Sequence, residues 1–204
     1  MVNLILATSN PHKLNKLRWI FSDFFQNITA QNAAIDIVED GKTFLENAEK
    51  KAIEVSKIYN CYAAATDGGV LIPSLGDNWN GLLTKRFIGR TDATDIDRIE
   101  ALLDLMKNKV GDERSIIWNE ALALAKNGEL IYSTQVDGDH GMVQTYYDPS
   151  QYKPGIWQCT ITCYPQFDGK NFFELTDKER EYSEISWHRL KQSVSEFMIK
   201  HPIE

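Results

Sequence analysis

The chain contains 204 residues, of which 43% are hydrophobic and 25% are charged, a composition typical of a globular protein with a substantial core. Its net charge of −7 argues against a general nucleic-acid-binding protein, but a small phosphorylated substrate is compatible with it, because local cations can offset the overall charge. No apolar run approaches the roughly 20 residues that span a bilayer, so we expect no membrane association.

A predicted strand and a polar turn that leads into a helix open the chain. Residues 2–7 are apolar except for Asn3 and partly β-branched, which is typical of a buried strand. A turn of this kind presents free backbone N–H groups and the positive end of a helix dipole, both of which favour phosphate. Thr8, Ser9 and Asn10 carry side-chain donors in the turn, and Lys13 adds a charge suited to a polyphosphate.

Ordinary helix capping explains the same turn equally well. Ser9 and Asn10 are both good N-cap residues, and Pro11 is favoured in the first turn of a helix. Many turns of this kind bind nothing, so this segment by itself does not decide between capping and phosphate binding.

Two further segments carry polar residues at strand and helix ends. Thr43 followed by Glu46 forms a capping-box pattern, which predicts where a long helix begins. The segment 63–72 predicts a strand, a sharp acidic glycine turn and a second strand. Asp67 would then lie at the end of a buried strand, although Asp-Gly is also a common turn sequence without function.

The remaining pattern predicts an α/β protein with a mixed sheet. Helices are predicted at about 13–25, 43–58, 95–106 and 183–200. Further strands are predicted at 35–38, 116–125, 130–136, 142–147 and 156–164, with turns or loops at 76–81, 126–129 and 168–169.

The three cysteines indicate no disulfide framework. Cys61, Cys159 and Cys163 form no C-x-x-C pair, and Cys159 and Cys163 fall in an alternating segment where thiols usually pack. The four histidines show no spacing that would complete a zinc site. We therefore expect a protein of the reducing cytoplasm.

At its polar motifs the chain resembles the inosine triphosphate pyrophosphatase family, whose members hydrolyse deaminated purine nucleoside triphosphates. The family motif T-x-N-x-x-K is matched by Thr8, Asn10 and Lys13. The motif E-x-G-x-T-F-x-E-N-A is matched from Glu39 to Ala48, and D-D-S-G-L takes the form Thr66-Asp67-Gly68-Gly69-Val70. The resemblance continues at Lys85-Arg86-Phe87, Gly89, Asp92-Ala93-Thr94-Asp95, Glu174-Leu175-Thr176 and Ser186-Trp187-His188-Arg189.

This resemblance implies a fold, a reaction and a cofactor. The fold would be a single pyrophosphatase-like domain over residues 1–204, an elongated mixed α/β sheet with two lobes and the active cleft between them. The reaction would be magnesium-dependent hydrolysis of a nucleoside triphosphate to a monophosphate and pyrophosphate. Family members are usually homodimers.

The resemblance also assigns the acidic residues of the site. Asp67 matches the second aspartate of the acidic motif, the expected general base and metal ligand. Glu39 is the best candidate for the other metal ligand, with Asp40 and Glu46 as rivals. Glu46 is also explained by helix capping alone.

The chain departs from the family at the acidic motif and at the base-binding segment. The first acidic-motif aspartate is Thr66 here and the following serine is Gly68, a position that would contact the phosphates. The family segment G-F-G-Y-D-P, which stacks on the base and hydrogen-bonds it, falls by position on 155–160. There Trp157 would replace the stacking aromatic residue and Gln158 would contact the base edge, but both also fit a packed sheet.

A last pair of candidates lies near the C-terminal end of the printed sequence. The family motif S-H-R is stretched here to residues 186–189, so that His188 and Arg189 would contact the base carbonyl or the phosphates. A His-Arg pair on an exposed helix face is the alternative.

Three functions follow from these residues. The first is a pyrophosphatase acting on non-standard purine nucleotides, and the second is a related hydrolase with a different nucleotide substrate. The third is a catalytically weak nucleotide-binding or interaction protein that retains the fold, which the loss of an acidic residue at Thr66 favours.

Overall fold

The computed structural model describes residues 2–32, 35–84, 87–90, 92–154 and 156–203. Its strands are β1 (Asn3–Leu6), β2 (Asn27–Ala30), β3 (Tyr62–Leu71), β4 (Ser115–Lys126), β5 (Glu129–Val143), β6 (Thr162–Tyr164) and β7 (Lys170–Asn171). Its α-helices are α1 (Pro11–Phe21), α2 (Phe44–Tyr59), α3 (Asp95–Leu105), α4 (Trp157–Thr160), α5 (Asp177–Ser183) and α6 (Ile185–Lys200). Short 3₁₀ helices occupy Pro73–Asn78, Gly81–Leu83, Gly111–Arg114, Pro149–Gln151, Pro165–Phe167 and Phe172–Glu174.

The strands form one mixed sheet in the order β2-β1-β3-β4-β5-β6-β7. β1 is parallel to both of its neighbours, with Leu4 opposite Ile28 of β2 and Tyr62 of β3. β6 is antiparallel to β5 and to β7. The predicted α/β class with a mixed sheet is confirmed. None of the helices in the described ranges has the length and apolarity that crossing a membrane requires.

The chain divides into two compact units. Unit 1 contains Met1–Gly68, Asn119–Asp137 and Ser186–Glu204, and unit 2 contains Gly69–Trp118 and Gly138–Ile185. The boundaries between the two units fall within the strands β3, β4 and β5 and after the first residue of α6.

The core of unit 1 is built by helices that bury one face. In α6 the residues Leu190, Val194 and Met198 recur every four positions, so that they share one side of the helix. Leu4 and Leu6 of β1 are fully buried in the same cluster. Each fully buried aliphatic side chain of this size stabilises the fold by about 1.5–3 kcal/mol, and this core holds the strand that leads into the first polar turn.

Unit 2 has its own core around α3. Ile99 and Leu102 of this helix are fully buried, as is Met106 at its C-cap. The buried Arg114 donates hydrogen bonds to the backbone carbonyls of Met106, at 2.6 Å, and of Val143, also at 2.6 Å. The guanidinium therefore satisfies carbonyl groups at the end of α3 and of β5.

The predicted strand at 35–38 is wrong, and the corresponding strand is β2. Residues 35–38 are not in a strand, and Val38 is 68% exposed. β2 lies at the end of the strand order, and backbone pairing with β1 holds it there although most of its side chains are exposed. Because an exposed edge strand lacks an apolar pattern, the hydrophobic periodicity favoured the wrong segment.

The predicted glycine turn at 67–69 is also wrong. β3 runs without interruption from Tyr62 to Leu71, and neither Gly68 nor Gly69 has a positive φ. A glycine in a strand often marks a close approach by other atoms rather than a turn. At Gly68 this is the case, and the approaching group belongs to the functional site.

The predicted strand at 156–164 is wrong over its first half. Residues Trp157–Thr160 form the short helix α4, and only Thr162–Tyr164 belong to a strand. The hydroxyl of Thr162 donates to the carbonyl of Gln158 at 2.8 Å, which supports the helical turn. A short alternating apolar segment fits either conformation, so periodicity could not decide.

Other predictions differ only at their ends or are confirmed. The β4–β5 hairpin is confirmed, with Asn127 and Gly128 at φ values of 52° and 88°, the left-handed pair that a tight hairpin needs. The helices predicted at 43–58, 95–106 and 183–200 are confirmed as α2, α3 and α6. The predicted loop at 76–81 is largely 3₁₀ helix, and α5 was not predicted. The strand predicted at 142–147 is wrong beyond residue 143, where β5 ends.

Candidate active site

The first polar turn has the geometry of a capped helix. Asn10 Oδ1 accepts hydrogen bonds from the backbone N–H groups of His12, at 2.9 Å, and Lys13, at 3.4 Å. Thr8 Oγ1 accepts from the backbone N–H of Asn10 at 3.1 Å. The capping interpretation, with Pro11 in the first turn, is confirmed. The Asn10 amide also carries two N–H donors, so its role in phosphate binding stays a prediction.

Asp67 lies within β3 and is held from α2. Its Oδ2 accepts a hydrogen bond from Asn47 Nδ2 at 3.0 Å, and its Oδ1 lies 3.7 Å from Lys51 Nζ. Asn47 and Lys51 are four residues apart, so both project from the same face of α2. The carbonyl oxygen of the Asn47 side chain accepts from the backbone N–H of Gly41 at 2.8 Å, which ties the loop before α2 to the same network.

Lys51 connects the two predicted metal ligands. Its Nζ lies 2.7 Å from Glu39 Oε1 as well as near Asp67. The side chains of Lys51 and Asp67 are only 12% and 14% exposed, so this ion pair is largely shielded from water. The structure thus places Glu39 and Asp67 next to the same cation, Lys51, which the sequence analysis did not identify. The four-residue spacing between Asn47 and Lys51 could have indicated that the two side chains share one face of the helix.

The rivals of Glu39 are engaged elsewhere. Asp40 pairs with Lys50 at 2.5 Å, and this lysine holds the pKa of the Asp40 carboxyl below its usual range. Glu46 accepts from the backbone N–H of Lys42, while its own N–H donates to the Thr43 hydroxyl that caps α2. Glu46 therefore serves the start of the helix. Glu39 shares Lys51 with Asp67, and its role as the second metal ligand stays a prediction.

Glu120 of β4 is an acidic residue of this region that the sequence did not reveal. A side chain at Gly68 would place its Cβ 2.3 Å from Glu120 Oε2 and 2.6 Å from the Asn119 carbonyl oxygen. The missing side chain of Gly68 thus leaves the space that the Glu120 carboxylate fills. A signal did exist, since Glu120 is a charged residue directly before the apolar run 121–125.

The surroundings of Glu120 are charged. Its Oε2 is buried and has no hydrogen-bond partner among the described residues. Burial raises the pKa of the Glu120 carboxyl to about 7, and the negative charge of Asp67 adds to this rise. The positive charges of Lys13 and Lys51 oppose it. Four charged side chains therefore interact in one region of unit 1.

These side chains fit a magnesium ion. In the described ranges no three His, Cys, Asp or Glu side chains form a complete metal site. Mg²⁺ does not need one, because it commonly binds through one or two carboxylates together with water and substrate phosphates. Asp67 and the unpartnered oxygen of Glu120 are donors of the kind that Mg²⁺ prefers.

The residues predicted to bind the base lie in different settings. The Trp157 ring is only 2% exposed, belongs to the core of unit 2 and packs nearly parallel to Phe87, with ring centres 5.9 Å apart. Gln158 is half-buried in the same helix. Base stacking by Trp157 and base contact by Gln158 stay predictions, and the packed ring is consistent with the core alternative.

His188 and Arg189 are exposed on α6 in unit 1. His188 packs edge-to-face on Trp19, with ring centres 5.1 Å apart, and Arg189 donates to the backbone carbonyl of Asp137 at 2.6 Å. Their contacts with substrate stay predictions. The predicted motif positions Lys85, Arg86 and Gly155 lie outside the described residues.

Comparisons with known proteins show which family the chain belongs to. The Ham1 family model matches residues 4–189. A dITP/XTP pyrophosphatase of Legionella pneumophila is 33% identical over 176 residues, covering 81% of this chain and 88% of that protein. A dITP/XTP pyrophosphatase of Photorhabdus laumondii is 35% identical over 131 residues, covering 63% of this chain and 66% of that protein, just under two thirds of its length.

A solved structure extends the likeness to the fold. The HAM1 protein of Coxiella burnetii superimposes with a TM-score of 0.79 at 25% identity, over 96% of this chain and all of that one. The resemblance inferred from the motifs is confirmed, and the chain belongs to the Ham1 family.

Proposed function

We propose that this protein is a nucleoside triphosphate pyrophosphatase that acts on deaminated or other non-standard purine nucleotides and releases a monophosphate and pyrophosphate. The observation that carries the proposal is the position of Asp67, which Asn47 and Lys51 hold in unit 1, in a region whose charges include Lys13. Relatives that carry the name dITP/XTP pyrophosphatase support the same reaction class.

Asp67 has the features expected of the general base. In the reaction a water oxygen bonds to the α-phosphorus, the bond from that phosphorus to the α–β bridging oxygen breaks, and pyrophosphate leaves with the bridging oxygen. Asp67 takes the proton of that water, while Asn47 fixes the orientation of the carboxylate through its hydrogen bond. Lys51, 3.7 Å from the same carboxylate, helps to hold it in place.

The turn before α1 supplies the phosphate contacts. Thr8, Ser9 and Asn10 donate hydrogen bonds to phosphate oxygens, and Lys13 neutralises part of their charge. Magnesium, when bound, neutralises further negative charge on the triphosphate, and Asp67 and Glu39 would hold it. Base contacts by Trp157, Gln158, His188 and Arg189, a homodimer and a cytoplasmic location remain predictions from the sequence.

A pyrophosphate-release assay tests this function. Purified protein is given ITP, dITP, XTP, ATP and GTP, with and without Mg²⁺, and the products are separated by anion-exchange chromatography. We expect monophosphate and pyrophosphate in equal amounts from the deaminated nucleotides, only with Mg²⁺. Orthophosphate with a diphosphate would contradict the reaction, and nucleotide binding without turnover would favour the catalytically weak alternative.

A further inference from the structure

Glu120 occupies a place in the site that a side chain on β3 would otherwise fill. Its Oε2 would lie 2.3 Å from a Cβ at position 68, so its carboxylate rests against the backbone of Gly68. Residues 66 and 68 of β3 point to the same face, because side chains alternate along a strand. Glu120 therefore brings a carboxylate from β4 to the face of β3 that carries Thr66. Asp67 projects from the opposite face, but β1 pairs with β3 only as far as Ala64, so this edge of β3 is not covered by β1 at residues 66–68. The charges of Asp67 and Glu120 interact there.

The Glu120 carboxylate is incompletely satisfied in the protein alone. Its Oε2 is buried without a hydrogen-bond partner among the described residues. A buried polar atom left without a partner is costly, and in native proteins it usually marks a missing ion, water or ligand. Two neighbouring residues of the same strands, Thr66 and Asn119, also have a buried oxygen without a partner in the described part of the chain.

The charges around Glu120 indicate that the missing group is a cation. Asp67 carries a like charge within electrostatic range of the Glu120 carboxyl, and the cations that act on this carboxyl are Lys13 and Lys51. Lys51 already contacts Glu39 and Asp67. Two carboxylates near a phosphate-binding turn would also repel a triphosphate, and a divalent cation removes that repulsion.

We propose that Glu120 is a ligand of the divalent cation in this site, and that it supplies from β4 the acidic group that the family resemblance places at position 66 of β3. This inference rests on the proposed magnesium-dependent reaction. It adds a ligand that the polar motifs do not contain, and it explains how the site keeps a second buried carboxylate although Thr66 and Gly68 replace an aspartate and a serine.

Direct binding of Mn²⁺ to the nucleotide-free protein tests the assignment. Free Mn²⁺ is followed by electron paramagnetic resonance in titrations of the wild type, Glu120→Gln and Glu129→Gln, with Mg²⁺ as competitor. Glu129 is exposed at the start of β5, so its variant matches the charge change without touching the site. We expect at least about tenfold weaker Mn²⁺ binding in Glu120→Gln, a difference of about 1.4 kcal/mol, and unchanged binding in Glu129→Gln.

Equal affinity in Glu120→Gln and the wild type would overturn the assignment, as would a wild type that binds no Mn²⁺ at millimolar concentration. A measurement on the wild type covers the case in which the variant does not fold. Bound Mn²⁺ should broaden the backbone amide resonances of Gly68 and Glu120, and sharp resonances at saturation would also overturn the assignment. Because these readouts need no nucleotide, they separate this inference from the proposed function. If the wild type releases pyrophosphate but Glu120→Gln binds Mn²⁺ as tightly as the wild type, the ligand role of Glu120 is wrong while the proposed function stands.

Discussion

Glu120 in unit 1 and Asp139 in unit 2 are two buried carboxylates that differ in their surroundings. Burial is the main cause that raises the pKa of each to about 7. Asp139 Oδ2 accepts a hydrogen bond from the Tyr164 hydroxyl at 2.6 Å. Glu120 Oε2 has no such donor among the described residues, but it lies within electrostatic range of charged side chains.

This difference distinguishes a carboxylate that is satisfied within the protein from one that is not. Around Asp139 the neighbouring groups stay neutral, because burial raises the pKa of Cys159 to about 12 and raises the pKa of Tyr164 as well. The Asp139–Tyr164 pair is thus complete within the protein. Equal pKa values therefore do not indicate equal roles, and the partners of each carboxylate are the better guide.

The largest effect on activity is expected for Asp67→Asn in unit 1, and the matched substitution in unit 2 should have little effect. Asp67→Asn should lower pyrophosphate release by about 10²- to 10⁴-fold, the range for loss of a general base. The Asn side chain can still accept the hydrogen bond from Asn47, so the fold should persist. Asp139→Asn is the matched control and should retain near wild-type turnover. Comparable losses in both variants would show that the comparison between the two units does not separate function from structure.

The pH dependence of stability should sharpen the comparison next. Because the folded-state pKa of Asp139 is raised from 3.8 to about 7, the folded protein binds this proton more tightly than the unfolded chain. The free energy of unfolding should therefore fall between about pH 4 and 7, by up to roughly 4 kcal/mol from this group. Asp139→Asn should flatten that fall in urea titrations at successive pH values. The pKa of Glu120 is also raised to about 7, so this group contributes to the same fall, and Mg²⁺ should reduce only that contribution. An unchanged pH dependence of the unfolding free energy in Asp139→Asn would contradict the raised pKa of Asp139.

Lys13→Ala tests whether the charges near Glu120 serve the phosphates. The affinity for a nucleoside triphosphate should fall by roughly 10- to 100-fold, as expected for a charged hydrogen bond of about 1.5–3 kcal/mol. Binding of the nucleoside without phosphates should not change. Lys16→Ala, on the same helix, is the control for a lost positive charge. Calorimetry measures both affinities, and an equal loss for both ligands would point to a damaged fold.

Tyr164→Phe probes the other carboxylate and should have the smallest effect. It leaves Asp139 without its hydroxyl donor, so the free energy of unfolding should fall by about 1–3 kcal/mol. Pyrophosphate release at saturating substrate should stay unchanged. Tyr146→Phe is the control, because Tyr146 is 68% exposed. A catalytic defect in Tyr164→Phe without loss of stability would reverse the roles given to the two carboxylates.

Local sequence patterns predicted those parts of the site that local geometry builds. The cap at Asn10 and the start of α2 at Thr43 depend on residues within one helical turn, and both are present. The resemblance brought Glu39 and Asp67 into one set, and in the structure both contact Lys51. Their roles in catalysis and metal binding remain predictions.

Contacts between distant segments were beyond the reach of those patterns. The two glycines after Asp67 favoured a turn, because glycine is the residue most often found in tight turns. A sequence does not show that a glycine instead leaves space for a side chain from a neighbouring strand. Glu120 reaches Gly68 only because β4 lies next to β3 in the sheet. The edge strand β2 was not predicted for a related reason. Backbone pairing with β1 holds it in the sheet, while most of its side chains are exposed and show no apolar pattern.

The close approach at Gly68 has a consequence for how this lineage could diverge. Any residue larger than glycine at 68 would collide with the carboxylate at 120 and with the rigid carbonyl of Asn119. Shortening the side chain at 120 would remove only the first collision, because the Asn119 carbonyl belongs to the backbone of β4. A larger residue at 68 therefore also requires β4 to shift relative to β3, and homologues that keep this strand spacing should keep glycine at 68.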